Sequence, residues 1–100
     1  MSKVYIKKYK EKNSLIAICD KDLLNRTFRE GRLKLEVKED FYGNELCTVE
    51  EAICLLDKAE LANLVGERII DAAIRNDLVD PQAVIHIEGI PHVQIMKLNL

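Results

Sequence analysis

The chain has 100 residues, 48% of them hydrophobic and 32% charged, with four glycines, two prolines and a formal net charge of −2. That length suits one domain over residues 1–100, and the balance excludes a disordered tail, a low-complexity chain and a coiled coil. No apolar run reaches membrane-spanning length, and Lys7, Lys8, Lys10, Glu11 and Lys12 stand where a signal peptide would be apolar, so the expectation is a cytoplasmic protein without a membrane role.

Val4-Tyr5-Ile6 opens a strand that runs through Tyr9, and Lys12-Asn13-Ser14 is a turn signal. Residues 15–19 form a second strand, apolar throughout and so buried on both faces. Together they read as an antiparallel hairpin. Asp20 can cap a short helix over residues 21–25, with Leu23, Leu24 and Phe28 inward, ended by Arg29-Glu30-Gly31. Leu33, Leu35 and Val37 alternate with Lys34, Glu36 and Lys38, a strand with one wet face. Phe41-Tyr42-Gly43-Asn44 reads as a loop.

Thr48-Val49-Glu50-Glu51 is a capping box. Val49, Ala52, Ile53, Leu56, Ala59, Ala62, Ile69 and Ala73 follow in mostly helical steps. They predict helix over residues 48–76, as one helix or two joined near residues 58–61. Gly66 inside it would admit a close backbone neighbour. Asp80-Pro81 cannot lie inside a helix. Residues 84–87 and 93–98 read as a C-terminal hairpin, and Pro91 points to an edge or a bulge. The class is α+β: about five strands in a mixed or antiparallel sheet, with one long or two shorter helices packed on it.

Several segments resemble one family. They are Cys19-Asp20-Lys21-Asp22-Leu23-Leu24, Thr27-Phe28-Arg29-Glu30-Gly31, Phe41-Tyr42-Gly43, Ala62-Asn63-Leu64-Val65-Gly66-Glu67-Arg68 and Ile87-Glu88-Gly89-Ile90-Pro91-His92-Val93-Gln94-Ile95. In order and spacing they resemble a small archaeal conserved family known only as a domain of unknown function (DUF424-like). The family pattern would place a glycine pair after the tyrosine, where this chain has Gly43-Asn44. Asparagine tolerates the positive φ such a turn requires. The resemblance implies an archaeal cytoplasmic protein without an established activity, cofactor or catalytic residue. A loose association of the family with translation genes favours a link to RNA or the ribosome.

Three constellations could carry chemistry. Asn63 and Glu67, four apart on the expected helix, share a face, with Arg68 beside them. They either form a buried polar network with the Phe41-Tyr42-Gly43 loop or, with Tyr42, His92 and Gln94, line a ligand site. His86 and His92 face each other across a three-residue turn, whereas a two-residue turn at Glu88-Gly89 opposes Ile85 and His92. No HxH or HExxH spacing supports a metal site, and no cofactor is assigned. The third is the basic N-terminal part: residues 1–40 carry eleven Lys/Arg against seven Asp/Glu, and residues 41–100 carry four against ten. Lys7, Lys8, Lys10, Arg26, Arg29 and Arg32 are the nucleic-acid candidates, interleaved with Tyr5, Tyr9 and Phe28. The bland alternative is a set of lysines guarding an edge strand.

Cys19, Cys47 and Cys54 lack a CxxC pair, which argues against a cysteine zinc site and fits a reducing compartment. P-loop, GxGxxG, GxSxG and EF-hand motifs are absent. The leading expectation is a small non-enzymatic cytoplasmic factor associated with RNA, a ribonucleoprotein or the translation machinery. Its rivals are a small-molecule or enzymatic site around Asn63, Glu67 and His92, and a protein-interaction module using the C-terminal hairpin, homodimerisation included.

Overall fold

The computed structural model describes residues 2–10 and 14–97. The fold is α+β, built on a six-stranded mixed sheet in the order β5-β1-β2-β6-β8-β7. The strands are β1 (Lys3–Tyr9), β2 (Leu15–Asp20), β5 (Glu45–Thr48), β6 (Leu61–Val65), β7 (Ile85–Ile87) and β8 (Ile90–Met96). A separate hairpin pairs β3 (Thr27–Glu30) with β4 (Leu33–Glu36). Only β2 and β6 pair in parallel; every other ladder is antiparallel. Parallel neighbours require a long crossover, and residues 21–60 supply it.

Alternation sorts the side chains onto two faces. Val4, Ile6, Ile16, Ile18, Ala62, Leu64 and Val93 pack under α2 (Val49–Lys58) and α3 (Glu67–Arg75). Ala17, Cys19, Val65 and Ile87 point the other way. There they meet Phe28 and Leu35 of the hairpin and Tyr42 of the one-turn helix α1 (Glu39–Tyr42). Strand β2 is thus buried on both sides, as its unbroken apolar run predicts: Ile16 to Asp20 are all under 5% exposed. The capping box forms as read, with Thr48 Oγ1 accepting from the Glu51 amide at 3.1 Å and Glu51 Oε1 accepting from the Thr48 amide at 2.9 Å.

The helical reading of residues 48–76 is corrected. The segment is a helix, a strand and a second helix. Helix α2 stops at Ala59, which turns extended at φ −80°, ψ 147°. Strand β6 then buries Ala62 and Leu64 toward the helices and Val65 toward the hairpin. The steps Ala59–Ala62 and Ala62–Ile69, about one and two helical turns, imitate a helix across this gap. Asn63 and Glu67 consequently do not share a helix face. Strands β3 and β5 replace expected irregular chain, and the supposed loop at residues 41–44 begins inside α1, with Gly43 capping it at φ 79°. The sheet turn at Glu88-Gly89 has two residues, both at positive φ, so His92 opposes Ile85 and His86 opposes Pro91. The two histidines do not meet. Pro91 is neither on an edge strand nor in a bulge: β8 lies between β6 and β7, and the β6 ladder ends one residue later at Val65–His92. Residues 12 and 13 of the expected first turn, and residue 98 of the expected last strand, lie outside the described residues.

Asp20 does not cap the short 3-10 turn that follows it. Its side chain reaches across to α3. Oδ2 accepts from the Arg68 amide at 2.9 Å and Oδ1 from the Ile69 amide at 3.0 Å. These are orphan donors of the first helical turn, where the helix dipole also favours negative charge. Burial pushes the Asp20 carboxyl above its ordinary pKa, and those two amides pull it back. Gly66, at φ +117°, makes room: a Cβ there would lie 2.3 Å from the Asp20 Cγ. The close neighbour at Gly66 is therefore this carboxylate rather than another backbone. Replacing Asp20 by alanine should cost about 1–2 kcal/mol, the scale of a lost cap. Gly66→Ala should cost more, since backbone strain of about 1–3 kcal/mol adds to the displaced carboxylate. In the Asp20→Ala background Gly66→Ala should cost distinctly less. Denaturant unfolding of the four proteins measures this coupling, and additive losses would contradict it.

Candidate functional site

The ladder registers fix which side chains lie abreast on the hairpin side of the sheet. Tyr5, Cys19, Val65, His92 and Ile85 form one row across five strands. Lys7, Ala17, Asn63 and Gln94 form the next, and Tyr9, Leu15, Leu61 and Met96 a third. The hairpin packs against β7, at the end where β2 and β6 finish, with the Arg29 amide donating to Glu88 Oε2 at 2.6 Å. The third row lies at the other end. It is only half-covered: Tyr9, Leu15 and Leu61 are half-buried and Met96 is 70% exposed. Gln94 is exposed and Asn63 half-buried beside it.

Tyr42 is buried, and its hydroxyl donates to Asn63 Oδ1 at 2.6 Å. Burial pushes the Tyr42 phenol well above its usual pKa, so it remains a donor. The Asn63 carbonyl is thereby engaged and its amide NH2 is turned away from Tyr42. His92 Nδ1 lies 3.0 Å from the Leu64 carbonyl, which engages that ring nitrogen. Four of the ligand-site candidates, Tyr42, Asn63, His92 and Gln94, therefore share one sheet face. Glu67 and Arg68 do not join them. They start α3 on the opposite face and line a separate depression with Asp20, Asp22, Gly89 and Ile90.

The nucleic-acid candidates also divide. Lys7 Nζ donates to the Asp40 carbonyl at 2.9 Å and sits 5.1 Å from the Tyr9 ring centroid. It lines a depression with Lys8, Lys10, Glu39, Asp40 and Glu45, where acidic and basic side chains are mixed. Arg26 stacks over Phe28 at 5.0 Å, and Arg29 and Arg32 are exposed on the hairpin at the far end of the sheet. Lys8 and Lys10 also line, on their other side, an open cleft of about 230 Å³ with Lys58 at the C-terminal end of α2. Its apolar lining is Leu15, Ile16, Leu55 and Ala59, with Tyr9 at the side. None of the described lining residues is acidic. Tyr9 stacks on Phe41, ring centroids 5.6 Å apart, and its hydroxyl donates to the Phe41 carbonyl at 2.7 Å. Phe41 in turn meets Tyr42 edge-on at 4.9 Å.

Sequence reasoning missed Lys58, Leu55, Leu61 and Met96. Lys58 closes α2 where the expected junction near residues 58–61 falls, but no local signal places it beside Lys8, fifty residues earlier. Leu61 and Met96 become neighbours only through the β6–β8 register.

Among the described residues no group of three or more His, Cys, Asp and Glu side chains could hold a metal ion, and no helix is long and apolar enough to cross a membrane. A family model described as a protein of unknown function (DUF424) matches residues 8–98. No curated protein matches the chain. A crystal structure of an uncharacterized conserved protein from Methanopyrus kandleri is similar in fold, with a TM-score of 0.76 and 19% identity, over 98% of this chain and 96% of that one.

The three thiols differ sharply in setting. Cys19 is fully buried, and burial, with Asp20 beside it, pushes its pKa up to about 12. Cys54 is exposed on α2. Because the thiolate is the reactive form, iodoacetamide at pH 8 should label Cys54 in the folded protein and leave Cys19 unmodified. Mass spectrometry of the peptides checks this, and rapid native labelling of Cys19 would contradict its placement.

Proposed function

The chain belongs to the DUF424 family, whose function is unknown, and we propose that this member is a small non-enzymatic cytoplasmic factor that binds single-stranded RNA or a ribonucleoprotein. The observation that carries the reading is the cleft of Lys8, Lys10 and Lys58. Three lysines line an apolar floor with no acidic residue among its described lining residues, while Lys8 and Lys10 also border the neighbouring depression that holds Glu39, Asp40 and Glu45. Phosphates meet the lysines, and the floor accepts the unstacked face of a base. A paired helix offers no free base face, so the ligand is single-stranded. The half-buried Tyr9 stands beside the cleft, its ring stacked on Phe41.

Three of the side chains suited to catalysis are buried or engaged. Cys19 and Tyr42 are buried, and one His92 ring nitrogen is held by the Leu64 carbonyl. These features favour binding without turnover. The hairpin arginines play no part in the cleft.

Fluorescence anisotropy with a labelled, mixed-sequence twelve-nucleotide RNA tests the reading. With three phosphate contacts, the logarithm of the affinity should fall with the logarithm of salt concentration at a slope of about −2. Lys8→Glu, Lys10→Glu and Lys58→Glu together should abolish measurable binding. Arg29→Glu with Arg32→Glu should leave it within about twofold. Binding that is insensitive to the lysine reversals, or lost with the arginine pair instead, would overturn the assignment.

A further inference from the structure

The lysine cleft does not end at Tyr9 and Leu15. Both residues also belong to the row Tyr9–Leu15–Leu61–Met96, which continues over the hairpin side of the sheet. The adjoining row carries Asn63 and Gln94 directly abreast. This quadrant is half-exposed, and Leu61, Asn63, Gln94 and Met96 bring no charge to it.

We infer that this quadrant is a base-reading platform, in which the Asn63 and Gln94 amides select the nucleobase of a strand whose phosphates occupy the lysine cleft. The inference rests on the RNA-binding reading and adds the specificity element to it. Three observations carry it. First, Tyr9 and Leu15 belong to both surfaces: the cleft lies on the helix side of the sheet and the platform on the hairpin side, and a strand occupying both passes round the end of the sheet at these two residues. Second, the amide of Asn63 is oriented. Tyr42 is buried and donates to Asn63 Oδ1 at 2.6 Å, so the Asn63 NH2 remains as a donor of fixed direction. The exposed Gln94, one strand away, offers both a donor and an acceptor. Amide side chains are suited to this task, because their donor and acceptor pair matches the hydrogen-bonding edge of a base bidentately. Third, the platform has apolar and aromatic flanks. Leu61 and Met96 lie one row away, and the stacked Tyr9–Phe41 pair stands at the side, its rings held by the Tyr9 hydroxyl on the Phe41 carbonyl. A base set on this surface meets apolar groups on its face and amides at its edge. A charged protein segment would find nothing there to pair with its charge. The positive groups lie in the adjoining cleft, where a phosphate backbone belongs.

The test compares binding of twelve-nucleotide adenine, uracil and cytosine homopolymers at one salt concentration. The wild-type protein should prefer one of them by roughly tenfold, the scale of one bidentate base contact. Gln94→Ala removes an exposed side chain, and Asn63→Asp keeps the acceptor for Tyr42 while removing the NH2 donors. Each should reduce the preference to within about threefold; Gln94→Ala, which adds no charge, should leave affinity for the least-favoured homopolymer unchanged, whereas Asn63→Asp lowers it for all three. Thermal denaturation of each variant verifies folding, and backbone amide shifts on titration with the preferred homopolymer should move at residues 61–63 and 94–96. A wild-type protein that binds all three equally, or variants that keep the full preference, would overturn the platform while leaving the lysine cleft standing. Loss of all RNA binding on lysine reversal, with the wild-type preference intact, supports both. An absence of wild-type binding overturns the underlying reading as well. Concentration-dependent dimerisation with the same amide shifts in the absence of RNA would assign the face to a second copy of the chain and overturn the inference.

Discussion

A buried carboxylate must be neutralised by neighbours or kept out of the core, and the placement of Asp20 determines how the layers of this protein meet. Asp20 ends the central strand β2 and caps the N-terminus of α3 through the amides of Arg68 and Ile69. The residue that lets the chain turn from β6 into α3 is Gly66, whose missing side chain leaves the carboxylate its space. The Gly66 amide is itself held by the Pro91 carbonyl at 2.9 Å, which ties β8 to the same point. One polar cluster therefore joins β2, β6, α3 and β8. Each partner satisfies a group whose burial alone would cost several kcal/mol.

This arrangement divides the sheet into unlike ends. The end with Asp20, Gly66 and the Glu88-Gly89 turn is used for structure: the hairpin docks there and Glu88 accepts from its Arg29 amide. At the other end no such lid covers β6 and β8 among the described residues. Leu61 and Met96 stay partly exposed there, Lys8, Lys10 and Lys58 converge there, and the Tyr9–Phe41 pair stands at its flank. The proposed binding surface is thus the part of the sheet that the fold itself leaves uncovered. The excess of positive residues before position 40 supplies Lys8 and Lys10, but it also includes Lys7, Arg26 and the hairpin arginines, which are engaged or stand apart.

Much of the architecture is legible where local chemistry and final environment agree. The apolar run of β2, the alternation of Leu33, Leu35 and Val37, and the Thr48-Glu51 box all point to what forms. The failures come where long-range pairing decides. Leu61 to Val65 is a strand because β2 and β8 flank it, whereas the spacing of Ala59, Ala62 and Ile69 across it suits a helix. Asp20 reads as a local cap because its partner lies 48 residues away. Within the site, the expected meeting of Asn63 with the Phe41-Tyr42-Gly43 loop occurs through Tyr42, although Asn63 reaches it from a strand rather than a helix. His92 and Gln94 share its face, and Glu67 does not. Lys58 could not be found from sequence, since only the packing of α2 against the sheet brings it to Lys8.

The most direct test of the account is ultraviolet crosslinking of the tagged protein to RNA in its native lysate, with the crosslinked peptides identified by mass spectrometry. The account predicts crosslinks in the peptides carrying Tyr9, Leu15 and Phe41 and in those carrying Leu61 and Met96, lost on ribonuclease treatment before irradiation. Crosslinks confined to the hairpin of residues 27–36, or a protein that recovers no RNA, would contradict it.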